Sequence, residues 1–153
     1  MTEDTGFDFA TATGLEVLRH IESTQSRRPN IGELLGLSID SLAEGRVVMS
    51  LEPRELFANQ LGTMHGGISA TLLDSVMGCA VHSSLPAATS YTTLELKVNY
   101  IRPVPTTGGR LTGIGNVVHL GRRSATAEGR ITNEEGKLVA HATTTCMVFP
   151  VSA

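Results

Sequence analysis

No run of 18 consecutive apolar residues occurs in the 153-residue chain, so the sequence contains no candidate membrane-spanning helix. Its start, "MTEDTGFDFATATG", carries acids and polar residues where a secretory leader needs a basic start and an apolar run. Cysteine is scarce. Cys79 and Cys146 lie far apart, each in an apolar stretch and neither in a C-x-x-C or zinc-type spacing, and both are expected to be reduced core thiols. A cytoplasmic location follows from these absences. There is no surplus of positive charge either: 12 Lys and Arg face 15 Asp and Glu, and the basic residues are scattered, which argues against a nucleic-acid partner. The chain has no G-x-S-x-G elbow, P-loop or Rossmann fingerprint, so serine-hydrolase, nucleotide-hydrolase and dehydrogenase readings lack support. His20, His82, His119 and His141 show no metal-ligand spacing, and no metal site is expected.

What is present reads as one globular domain over residues 1–153, with 41% hydrophobic and 18% charged residues. Residues 1–12 are expected to be flexible. From 13 to 28, Leu15, Leu18, Ile21 and Glu22 at near-helical spacing, with Thr13 ahead and Pro29 behind, predict an amphipathic N-terminal helix. "ELLGLSIDSLAEGRVVMSLEP" alternates on both sides of Glu44-Gly45, the pattern of a hairpin whose buried faces carry Leu35, Leu37, Ile39 and Val47, Met49, Leu51. After a long apolar helix come four strands. The first sets Leu94, Leu96, Val98 and Tyr100 against Glu95, Lys97 and Asn99, and Asn133-Glu134-Glu135-Gly136 marks a hairpin between the last two. The order predicts an α+β chain with mostly antiparallel strands.

Between Gly66 and His82, apolar residues occupy nearly every azimuth, as in a helix buried on all sides by a curved sheet. Asp74 interrupts them. An unpaired carboxylate there would cost several kcal/mol or take up a proton, so something must satisfy it, in a structural network or in a functional site. Gly78, one turn later on the same face, costs on the order of 1 kcal/mol against alanine and is expected to leave space beside the acid for a substrate. Ahead of the helix, Gly66 and Gly67 allow a ligand oxygen to approach unpaired N–H groups. Such a helix start can stabilise an oxyanion, as acyl transfer requires, although plain capping is the commoner use of the motif.

The element order, together with N-x-x-G-x-x-H-G-G (Asn59, Gly62, His65, Gly66, Gly67) and an acid nine residues after the His, resembles the hotdog-fold acyl-CoA thioesterases of the phenylacetic-acid-degradation (PaaI-like) type. "NYIRPV" and "GRRSATAEGRITNEEGKLVAHATTT" resemble that family's later strands. The resemblance implies a curved antiparallel sheet around the central helix and hydrolysis of acyl-CoA to free acid and coenzyme A without metal or redox cofactor. It implies Asp74 as general base or nucleophile, and Asn59 and His65 as the polar pair near the thioester carbonyl and the water. The N–H of Gly66 would be the oxyanion donor, and Thr93, or its neighbour Thr92, would position the water. It further implies that Asn59, His65 and Gly66 of one subunit face Asp74 and Thr93 of another, in a homodimer extended to a homotetramer as a dimer of dimers.

Arg102, Arg122, Arg123 and Ser124, at strand ends or a turn, are candidates for the coenzyme A phosphates, with Gly67 near the substrate. Leu61, Met64, Met77 and Val81 are candidates for the acyl pocket. Two other readings are a hotdog hydratase or dehydratase, whose motifs Asp74 with His65 match poorly, and a non-catalytic acyl-CoA-binding module, in which the polar set would have no evident use.

Overall fold

The computed structural model describes residues 6–24 and 29–151. A capping box opens helix α1 (Gly14–Thr24): the Thr13 N–H donates to the Glu16 carboxylate at 2.7 Å, and the Glu16 N–H donates back to the Thr13 hydroxyl at 3.4 Å. Of the helix expected over 13–28, positions 25–28 lie outside the described residues. Leu18 is buried, and α1 packs against the central helix.

The alternation near Glu33 predicts a strand, but a short helix, α2 (Ile31–Leu35), forms there. Asn30 caps it by accepting from the Glu33 N–H at 2.9 Å, and Gly36 ends it at φ 71°. Caps at both ends outweigh so short an alternating stretch, and Leu35 is buried from a helix rather than from a strand. Strands β1 (Ser38–Ala43) and β2 (Arg46–Leu51) then make the expected hairpin, with Gly45 at φ 72° in its turn. Val47, Met49 and Leu51 are buried as their alternation requires.

Helix α3 (Gly66–Ser83) precedes β3 (Thr89–Tyr100), β4 (Leu111–Leu120), β5 (Ser124–Thr132) and β6 (Leu138–Pro150). The six strands form one antiparallel sheet in the order β1-β2-β4-β5-β6-β3, and the Asn133–Gly136 turn joins β5 to β6. The sheet curves around α3, burying Leu72, Leu73, Val76, Met77, Ala80 and Val81 completely. Close approach is possible because Gly115 and its cross-strand partner Gly129 lack side chains. A Cβ at Gly115 would lie 2.3 Å from the Val76 carbonyl oxygen, and one at Gly129 would lie 2.9 Å from Met77 Cγ. This is the hotdog arrangement that the resemblance implies, with the extra N-terminal helix that the periodicity predicts. Among the described residues no helix is long and apolar enough to cross a membrane.

The expectation of a fully enclosed central helix also fails. α3 is not buried on all sides: Gly67, Thr71, Asp74, Ser75 and His82 form a stripe turned from the sheet, and it stays partly open. The sheet contributes a single layer and can cover only the face it meets.

Candidate active site

Asp74 sits in the middle of that stripe, and β3 brings Thr93 to it by departing from strict alternation. Regular alternation with Leu96 and Val98 inward would turn Tyr91 and Thr93 outward, on the side of Glu95. Thr93 pairs with Cys146 and Glu95 with the next residue, Thr145, so Leu94 is the extra residue of a β-bulge. Tyr91 and Thr93 therefore join Leu96 and Val98 on the side facing α3, and Leu94, expected on the buried face, is 62% exposed. The Thr93 hydroxyl donates to Asp74 Oδ1 at 2.9 Å, whereas Thr92 is exposed. Of the two adjacent threonines, Thr93 is the one beside the acid.

Asp74 borders a cavity of about 730 Å³ walled by Ile21, Leu37, Ile39, Met49, Cys79 and Tyr91. Burial, and then the charge of Asp74, push the Cys79 thiol up to about 11, so at neutral pH it is a protonated wall group rather than a nucleophile. Burial raises the Tyr91 phenol as well. The anticipated pocket residues lie elsewhere: Leu61 is 89% exposed, and Met64, Met77 and Val81 are used in the core. Nor does Gly78 leave a void. A Cβ there would lie 2.4 Å from the Tyr91 hydroxyl oxygen, so the ring of Tyr91 fills the space. Sequence reasoning missed Tyr91, although the mid-helix glycine was a signal, since it marks a close neighbour as well as it marks a gap.

The second polar group gathers at the start of α3. His65 is the N-cap residue, and its Nδ1 accepts from the Gly67 N–H at 2.9 Å. A nitrogen that accepts carries no proton, so neutral His65 holds its proton on Nε2 and presents a donor there. A Cβ on Gly67 would lie 2.9 Å from that Nδ1, which explains glycine at this position. The Gly67 N–H is thus already engaged. The Gly66 N–H meets no acceptor among the described residues, while the Gly66 carbonyl accepts from the Tyr100 hydroxyl at 3.0 Å. Asn59 staples its own turn: its Oδ1 accepts from the N–H groups of Leu61 and Thr63, and its Nδ2 donates to the Thr63 hydroxyl.

Nine residues of α3 separate His65 from Asp74, about 13 Å along the axis, so the two clusters cannot close on one carbonyl within a protomer. The arginines are divided too. The Arg102 guanidinium donates to the Leu138 carbonyl beside the start of β6, whereas Arg122, Arg123 and Ser124 lie at the β4–β5 turn. The nine residues of β5 hold these sites about 30 Å apart. Among the described residues no cluster of three or more His, Cys, Asp or Glu is arranged to hold a metal ion.

Residues 61–140, more than half of the chain, match the family model described as the thioesterase superfamily. That span includes His65, Gly66, Gly67, Asp74, Thr93 and the three arginines but not Asn59. A protein of Halobacterium salinarum named as an esterase is 35% identical over 99 residues, which cover 61% of this chain and 64% of that protein. Human acyl-coenzyme A thioesterase 13 is 27% identical over 125 residues, covering 80% of this chain and 88% of that one. A solved structure of the phenylacetic acid degradation protein PaaI from Thermus thermophilus, a point mutant, superposes with a TM-score of 0.69 at 34% identity, covering 76% of this chain and 96% of that one.

Proposed function

The chain belongs to the thioesterase superfamily, and from that premise we propose that it hydrolyses acyl-coenzyme A thioesters to carboxylic acid and coenzyme A, with Asp74 as the reacting carboxylate. The observation that carries the reading is Asp74 itself: held by the Thr93 hydroxyl, half-open and facing a cavity, it has no cation paired with it among the described residues. A purely structural carboxylate in an apolar helix would be locked to a donor set and closed off. Asp74 would activate water or attack the thioester carbon, and the Gly66 N–H with the His65 Nε2–H would meet the oxygen as charge develops on it. The helix start contributes its partial positive charge to the same end. This route calls for no metal or redox group.

The site would be completed by a second copy of the chain. β3 is an edge strand twelve residues long, paired along its backbone with no strand but β6 among the described residues, and an open edge of that length is a template for pairing. The Thr93 end of β3 lies at Asp74 and its Tyr100 end lies at Gly66. Two β3 strands paired antiparallel near their middles would therefore set Asp74 of one protomer toward Gly66 and His65 of its partner. A homodimer is the least assembly this reading needs, and pairs of dimers would give the homotetramer. The two free thiols support a cytoplasmic setting.

The test is release of coenzyme A, followed with a chromogenic thiol reagent over a panel of acyl-CoAs. Asp74→Asn should lower kcat by two or more orders of magnitude with fold and oligomeric state retained. Near wild-type turnover in that variant would remove Asp74 from the mechanism. Absence of thiol release from every acyl-CoA would favour the hydratase or binding-module reading. Labelled water under single turnover separates base from nucleophile, because only an anhydride passes solvent oxygen through the carboxylate.

A further inference from the structure

We propose that Tyr91 is a specificity-determining residue of the cavity, its hydroxyl donating a hydrogen bond to an oxygen carried by the acyl group about 6 Å beyond the thioester carbon; this rests on the reading of Asp74 as the reacting carboxylate. Tyr91 borders the cavity, yet its hydroxyl has no hydrogen-bond partner among the described residues. The ring is half-buried while the hydroxyl oxygen opens on the cavity, so a fixed donor without a protein partner stands at the cavity wall, a place for a ligand acceptor. The donor is also a fixed point. The Gly78 backbone supports the ring from one side, and His82 meets it edge-to-face at 5.8 Å between centroids.

Position along the helix sets the spacing. Gly78 lies four residues beyond Asp74, or about 6 Å at the rise of an α-helix. An acyl group with its carbonyl at Asp74 and its chain running toward Gly78 places roughly its fifth or sixth carbon at the phenol, since an extended chain advances about 1.3 Å per C–C bond. The groups nearby do not satisfy the phenol. Cys79 is a protonated thiol and a weak acceptor, Ile21, Leu37, Ile39 and Met49 are apolar, and of the polar lining residues Asn30, Glu33, Asp74 and Ser75 none accepts from the phenol. Burial keeps the phenol protonated at neutral pH, so it remains a donor. The chemical class that fits is a medium-length acyl group with a ketone, hydroxyl or ether oxygen near the fifth carbon. A plain chain of equal length would gain the same apolar contacts and leave the phenol unpaired.

The test compares hexanoyl-CoA with 5-oxohexanoyl-CoA, equal in chain length, on the intact oligomer of wild type and of Tyr91→Phe. Phenylalanine keeps the ring over Gly78 and removes only the donor. Wild type should favour the oxo substrate by about tenfold in kcat/KM, and in Tyr91→Phe the ratio should fall to about 1. Equal kcat/KM for both substrates in wild type, or a preference that survives in Tyr91→Phe, overturns the inference. The same ratio is read independently of turnover, from calorimetric binding of the matching non-hydrolysable thioether analogues to Asp74→Asn and to Asp74→Asn/Tyr91→Phe. A wild type that releases no coenzyme A refutes the hydrolase reading. A binding ratio unchanged by loss of the phenol refutes the role of Tyr91.

Discussion

Replacing Thr93 by valine keeps the branched shape and removes the hydroxyl that donates to Asp74 Oδ1 at 2.9 Å. A hydrogen bond to a charged acceptor contributes about 1.5–3 kcal/mol. With about 1.4 kcal/mol per tenfold in rate, loss of the whole bond corresponds to roughly 10- to 150-fold. Asp74 is half-exposed, so water can enter the vacated place, and the lower end, about tenfold in kcat, is expected. The stronger expectation concerns coupling. If the hydroxyl acts by orienting Asp74, then in an Asp74→Asn background Thr93→Val should change the residual rate by less than about twofold, because the two residues act as a unit. The assay is the initial rate of coenzyme A release for the four proteins of the cycle, with circular dichroism and gel filtration confirming fold and assembly. Wild-type rate in Thr93→Val would refute the reasoning, as would an equal loss in both backgrounds.

Three further outcomes are expected. Gly115→Ala should destabilise the fold by about 3 kcal/mol in urea titration, since the methyl meets backbone of α3 rather than a movable side chain; a loss under about 1 kcal/mol would show that the helix can lift from its seat. His65→Ala should remove the cap on Gly67, costing about 1 kcal/mol or roughly 2–4 °C in melting temperature, and an unchanged melting temperature would show the cap to be inert. Cys79 should make stability fall at alkaline pH: between the ordinary value of 9.0 and about 11 the unfolded thiol releases its proton while the folded one keeps it, so the folded state binds more protons. The decline in melting temperature over that interval should be shallower in Cys79→Ala than in wild type, and parallel curves would contradict it.

The order of the longer elements along the chain was legible because a period of two and a period of 3.6 leave different marks, as in β2 and α3, and glycine punctuates the turns at Gly45 and Gly136. α2 was not legible, because its five residues carry too little periodicity and only its caps announce it. The bulge at Leu94 was hidden for a related reason. An alternating string records which residues are apolar, not where one strand slips against its neighbour, so alternation alone, carried back past Leu94, would turn Thr93 away from Asp74.

The sequence by itself determined the α+β order of elements, the acid set in an apolar helix and the histidine and glycines at that helix's start, since these depend on local pattern and chemistry along the chain. The hotdog layout followed from the family resemblance those motifs carry. Only the tertiary structure decided that Thr93 rather than Thr92 holds Asp74, that Tyr91 occupies the space over Gly78, and that the two polar clusters stand too far apart to share one carbonyl. Those outcomes depend on register between strands and on distance along a rigid helix, which no one-dimensional pattern contains.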